Sequence, residues 1–115
     1  MSNFITLQQA IALTDNYRNE KENILAPASK GKDILPLSET FDRASFDALL
    51  AETDATFIRI YLGMDSDFKI RLVAVAADSK NVDILPVGGS VANIVEDGIR
   101  CPPNCPPPPP SPLNP

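Results

Sequence analysis

Two cysteines four positions apart, in Cys101-Pro102-Pro103-Asn104-Cys105, are the most chemically pointed residues of the chain. A thiol pair can close into a disulfide, exchange with other disulfides, or hold a soft metal as thiolates. The spacing works against a bridge within the motif. Four polyproline II steps cover roughly 12 Å, whereas the Cα atoms of a disulfide must come within about 7 Å. Closure therefore needs a sharp bend, such as a cis proline at Pro103. Two thiolates are half of a structural zinc site, and no third or fourth ligand stands nearby in sequence, although a dimer would bring four cysteines together. Free thiols, the default state in a reducing compartment, are the simplest expectation. A disulfide within or between chains and a metal site remain as alternatives.

Arg59, Lys69 and Arg71, with Tyr61 beside them, are the second constellation. Placed on one sheet face, such like charges cost a few tenths of a kcal/mol unless neutralised. An acidic partner or a small anion would suit the planar forks of the arginines. Pairing with the chain's own acids, for instance Glu52, Asp65 or Asp67, or plain solvation, is the simpler expectation. The chain has no histidine, which removes the usual general base, the Ser-His and Cys-His nucleophile pairs and the commonest nitrogen metal ligand. Neither Asp65 with Asp67 nor Glu96 with Asp97 makes an acid–base pair in a recognisable pocket. No catalytic residue and no cofactor is assigned, and an enzyme is not the expectation.

These residues need elements to position them, and the stretch from Ala55 to Ala77 supplies the main one. Runs of β-branched and aromatic residues, Thr56–Leu62 and Phe68–Ala77, flank Gly63-Met64-Asp65-Ser66-Asp67, where glycine and Asx-turn aspartates predict a β-hairpin. A register pairing Leu62 with Phe68 and Ile60 with Ile70 gathers Ile58, Ile60, Leu62, Phe68, Ile70, Leu72 and Ala74 on a core face. The opposite face carries Phe57, Arg59, Tyr61, Lys69, Arg71, Val73 and Val75, basic near the turn and apolar at the far end. The apolar end calls for cover from the proline tail, from a strand near Val91–Val95, or from a second subunit. Val82–Leu85 reads as a third strand closed by Pro86, Gly88-Gly89-Ser90 as a break, and Asp97-Gly98 as a tight turn before Ile99.

Helices are signalled on either side of the first loop. Thr6 and Gln9 form a capping box, Ile5 is placed for a hydrophobic staple, and Leu7, Ala10, Ile11, Leu13, Tyr17 and Ile24 fall on one arc of a helix over roughly 7–23. Lys21 sits inside that arc and is expected to snorkel. Asp42 caps a second helix near 42–52, with Phe41 and Phe46 in staple positions and Phe46, Leu49 and Leu50 on its apolar face. The segment Ser29–Leu37 is echoed at Ser79–Val87, with six of nine positions identical. Two copies are too few for a solenoid. They read as one local solution used twice, a polar turn entering a short Ile-Leu edge strand that proline ends, or more ambitiously as equivalent sheet edges.

The totals bound the rest. One domain is expected from 115 residues, and a net charge of −5 argues against nucleic acid or an anionic membrane as partner. No apolar run approaches the roughly 20 residues of a membrane span. The N-terminal residues lack a signal peptide's basic start and apolar core, which implies a cytoplasmic location. Most of the 12 prolines lie in residues 101–115, a tail expected to be polyproline II or disordered.

The stretches LPLSETFDRASFDALL, IRIYLGMDSDFKIRLVAVAADSKNVDILP and IVEDGIRCPPNCPPPPPSPLNP together resemble a group of small uncharacterised proteins from Bacteroidota genomes that carry a CPPxCP tail. That group has no assigned activity, so the resemblance implies a bacterial cytoplasmic setting and transfers no site residue. The expectation is an α+β domain over 1–100, with two helices on one face of a three- to five-stranded antiparallel sheet, followed by the tail. Its expected role is a non-enzymatic interaction or structural module that contacts a protein partner or a second copy of itself. A thiol-redox or metal-binding device at Cys101 and Cys105 is the alternative.

Overall fold

A computed structural model describes residues 3–86 and 94–115. Contacts divide the chain into two compact units, Met1–Ser38 with Arg100–Pro115, and Glu39–Ile99. The class is α+β, with two helices and an antiparallel sheet of several strands. Strands β1 (Ser38–Thr40) and β6 (Ile99–Cys101) pair with each other as a separate two-stranded sheet.

The larger unit is built on the hairpin. Strand β2 (Phe57–Met64) pairs antiparallel with β3 (Ile70–Ala77), and β3 also pairs with β4 (Asp83–Ile84) and β5 (Ile94–Val95). Opposed residues are Ile60 with Ala74, Leu62 with Leu72 and Met64 with Ile70, so the partner of each β2 residue lies four positions further along the chain than in the expected register. The displacement is even, so the expected residues still share a face. Its cause is the loop. Asp65 Oδ1 accepts from the amides of Asp67 and Lys69 at 2.9 and 3.0 Å, and Phe68 takes φ 64° to close the turn. Phe68 therefore belongs to the loop and not to the strand.

Helix α2 (Arg43–Leu50) packs on β2, β3 and β5. Asp42 caps it by accepting from Ser45 N at 2.8 Å, and the Phe41 and Phe46 rings meet at 5.5 Å between centroids. Leu49, Ala74 and Ala76 form the core cluster, with Phe46, Ala55, Ile58, Ile84 and Val95 packed around it. Eight helical residues rise only about 12 Å, whereas eight strand residues run roughly 27 Å. The core thus fills one end of the hairpin. At the other end Ile60, Leu62, Met64 and Phe68, expected in the core apart from Met64, are exposed, Leu62 to 76%.

Helix α1 (Leu7–Glu20) lies in the other unit and carries the expected capping box, Thr6 N donating to Gln9 Oε1 at 2.8 Å and Gln9 N to Thr6 Oγ1 at 3.1 Å. It ends three residues earlier than periodicity suggests. Ala10, Ile11, Thr14, Tyr17, Arg18 and Lys21 are its half-buried side, while Leu7, Leu13 and Ile24 of the expected arc are exposed. Lys21 pairs with Glu22 at 3.2 Å. The repeated segment diverges: Asp83–Ile84 is strand β4, whereas Asp33 and Ile34 lie outside any strand. The two copies are not equivalent sheet edges. The break at Gly88-Gly89-Ser90 and the start of the Val91–Val95 strand lie outside the described residues.

Candidate functional site

The two cysteines are joined. Cys101 and Cys105 form a disulfide with Cα atoms 4.6 Å apart, and both the Cys101–Pro102 and Pro102–Pro103 peptide bonds are cis. This corrects the expectation of free thiols. Bending at the prolines brings the Cα atoms inside bonding range, which an extended polyproline path would not do.

The neighbourhood of the motif is ordered by backbone bonds. Arg100 is buried, and its Nη2 donates to the carbonyls of Asp33 and Ile34 at 2.7 and 2.9 Å. Cys101 O accepts from Leu37 N at 2.8 Å, and Arg100 O accepts from Asn104 N at 2.9 Å. Cys101 is completely buried, whereas Cys105 lies at the surface. One half of the disulfide is thus locked into its unit and the other half faces solvent. Among the described residues no group of three or more His, Cys, Asp or Glu stands together in a way that could hold a metal ion.

The rest of the tail is anchored as well. Arg18 Nη1 donates to Leu113 O at 2.9 Å, while Arg18 Nη2 pairs with Asp15 at 2.8 Å. Leu113 lines a cavity of about 170 Å³ together with Leu13, Thr14, Tyr17, Arg18 and Leu37. Tyr17 Oη donates to Pro36 O at 2.6 Å, and burial pushes its pKa up.

The basic constellation is resolved into two clusters with acids of the same unit. Arg59 pairs with Asp83 and with the side chain and backbone carbonyl of Asn81, and Tyr61 Oη donates to the other oxygen of Asp83. The hydrogen bond from Tyr61, then those from Arg59, hold the Asp83 carboxyl below its ordinary range, and the same bonds raise Tyr61 and Arg59. Arg71 Nε lies 3.3 Å from Glu39 Oε1 and 3.7 Å from Glu96 Oε1, and its Nη2 donates to Gly98 O at 3.1 Å. The Glu39 side chain is fully buried, and its second oxygen accepts from Leu72 N at 2.9 Å. Gly98 approaches this pair so closely that an added Cβ would stand 2.9 Å from Phe41 Cζ and 3.1 Å from Glu39 Oε2. Lys69 stands apart from both clusters, contributing its amide to the Asp65 turn.

Of the apolar interaction candidates, Phe57 is half exposed, Val73 is half-buried and Val75 is buried to 2%. Strand β3 is central and β2 is at the edge, so burial follows strand position. The expected apolar patch on this face is reduced to Phe57. Sequence reasoning missed Asp83 and Glu39 as partners of the arginines, because both are long-range contacts, 24 and 32 positions from Arg59 and Arg71. Alternation of Arg59 and Tyr61 on one face was the signal available.

Among the described residues no helix is long and apolar enough to cross a membrane. No protein-family model, curated protein or solved structure matches the chain.

Proposed function

We propose that the chain is a small module carrying a reversible thiol–disulfide couple at Cys101 and Cys105. The observation that supports it is the asymmetry of the pair, a buried Cys101 bonded to a surface Cys105 only four residues on. An external thiolate would attack the Cys105 sulfur, forming a mixed disulfide, while the Cys101 sulfur leaves as a thiolate and takes up a proton. The second thiol of a dithiol reductant would then displace Cys105, leaving the reductant as a disulfide and the module with two thiols. A disulfide offers no thiolate to a metal, and among the described residues no cluster of His, Cys, Asp or Glu completes a metal set, so redox chemistry is favoured over metal binding.

Thiol titration and intact mass of the full chain, purified without reductant or chelator, test this reading. The expected result is no free thiol and a mass lighter by two hydrogens, converting reversibly in dithiothreitol buffers while the chain stays folded. Two thiols that refuse mild oxidation, or a bridge that opens only after unfolding, would overturn it.

A second reading, self-association, is favoured by the bare stripe of Ile60, Leu62, Met64 and Phe68. Among the described residues β2 pairs with β3 alone, so its other edge is open to a strand of a second copy. Antiparallel pairing of β2 with itself, centred on Ile60, would set Ile58 opposite Leu62 and Arg59 opposite Tyr61, with no like charges directly opposed. Light scattering at high protein concentration is the check. A dimer that L62E dissociates supports the reading, and a strict monomer ends it.

A further inference from the structure

Resting on the thiol–disulfide reading, we propose that the Cys101–Cys105 bridge gates the docking of the chain's own C-terminal end, with Leu13, Thr14, Tyr17, Arg18 and Leu37 as the receptor for Leu113. The tail is held at two places within its unit. At its start, the buried Arg100 bonds to Asp33 O and Ile34 O, and Cys101 O accepts from Leu37 N. At its end, Leu113 O accepts from Arg18 and Leu113 is one of the residues lining the cavity beside α1. A small turn presents it, Asn114 N donating to Ser111 O at 2.9 Å and Leu113 N to Ser111 Oγ at 3.1 Å. Between the two anchors Pro106 to Pro110 are exposed.

The bridge sets where the proline run begins. With Cys101 held, the disulfide keeps the Cys105 Cα 4.6 Å away. An open Cys-Pro-Pro-Asn-Cys segment in polyproline II would extend to roughly 12 Å, moving the start of the run by roughly two residues' rise. Proline fixes φ at every step of Pro106 to Pro110, so the run is too stiff to take up that displacement by coiling. Leu113 then no longer reaches its seat. Reduction releases the tail end and uncovers Tyr17 and Leu37, which are half-buried beside it. By linkage the dependence runs both ways, because a docked Leu113 must favour the closed bridge as much as the closed bridge favours docking.

Nuclear magnetic resonance on the full chain, with dithiothreitol as the probe, reads the gate directly. In the oxidised chain the Leu113 methyls are expected to show Overhauser contacts to the residues lining the cavity. Reduction should abolish these and sharpen the Leu113 and Asn114 signals, while the resonances of α1 remain those of a helix. R18A and L113A, which each remove one partner of the contact, should each be reduced at a lower ratio of dithiol to disulfide than the parent chain. Persistence of the Leu113 contacts with both thiols titrating free would overturn the gate and leave the redox couple intact. Failure of the folded chain to be reduced at all would overturn the redox couple, and the gate with it. Unchanged reduction ratios in both variants would also overturn the gate.

Discussion

Asp83 is the residue that pairs the Arg59 charge on this face, and its ionisation carries a pH signature. Tyr61, and next Arg59, hydrogen-bond to the carboxylate and favour its charged form. The folded pKa lies below the unfolded one, so this contribution is complete above about pH 4 and is lost as pH falls through the lower folded value. Tyr61 is shifted upward, chiefly by its bond to Asp83, so its contribution is complete below about pH 10 and lost as pH rises through the higher folded value. Ultraviolet titration of tyrosinate should therefore show Tyr17 and Tyr61 both ionising above about pH 10. D83N should return Tyr61 toward its ordinary value and leave Tyr17 raised, because burial is the main cause at Tyr17. A variant that moved both tyrosines equally would contradict this assignment. Glu39 faces Arg71 at 3.3 Å, with its side chain fully enclosed.

At the scale of elements, local chemistry and tertiary cover contribute differently. The capping box at Thr6 satisfies two amides at the start of α1 by reciprocal bonds. T6A should cost about 1 kcal/mol, measurable by urea unfolding followed by circular dichroism. Leu49 of α2 is 1% exposed and sits in the core cluster with Ala74 and Ala76. L49A opens a cavity facing two alanines that cannot expand to fill it, so the expected loss is about 2–5 kcal/mol. Leu62, by contrast, is on the bare end of β2, and L62E should change monomer stability by less than about 0.5 kcal/mol. Denaturant midpoints for the two leucine variants decide whether the core ends where α2 ends.

At the scale of the whole molecule, the disulfide closes a loop of only five residues, so its effect on the unfolded chain is small, about 2 kcal/mol in the chain-entropy account. Reduction should lower the urea midpoint modestly, leave the chain folded and leave the slope of the transition nearly unchanged. Unfolding curves with and without dithiothreitol make the comparison. Collapse of the fold on reduction would mark the bridge as a structural staple and not a couple. Cleavage of so small a loop is a local event with its readout at the tail, which is where the Arg18–Leu113 contact lies.

Much of the chain was legible in its residues because the signals were short-range. Thr6 with Gln9 and Asp42 between Phe41 and Phe46 are patterns within a few positions and are found where expected, and the hairpin strands keep their alternation, while the turn closes at Asp65–Lys69 and not at Gly63–Asp67 because Gly63 and Met64 belong to β2. The hairpin register lies four residues from the expected one because Phe68 looks like a strand residue and only the turn geometry gives it a positive φ. The choice among thiols, disulfide and metal could not be made from spacing, since it depends on the path of the prolines. Nor did any local pattern pair Arg59 with Asp83, or Arg71 with Glu39. By itself the sequence determined the α+β class, the helix starts and the alternation of the sheet, because capping, turn chemistry and periodicity act over one or two turns of chain. Only the tertiary structure decided which apolar residues are covered, which acids meet the arginines, and that Cys101 meets Cys105. The first two depend on long-range approach and on how far an eight-residue helix reaches along an eight-residue strand, and the third on the path the prolines take between the two cysteines.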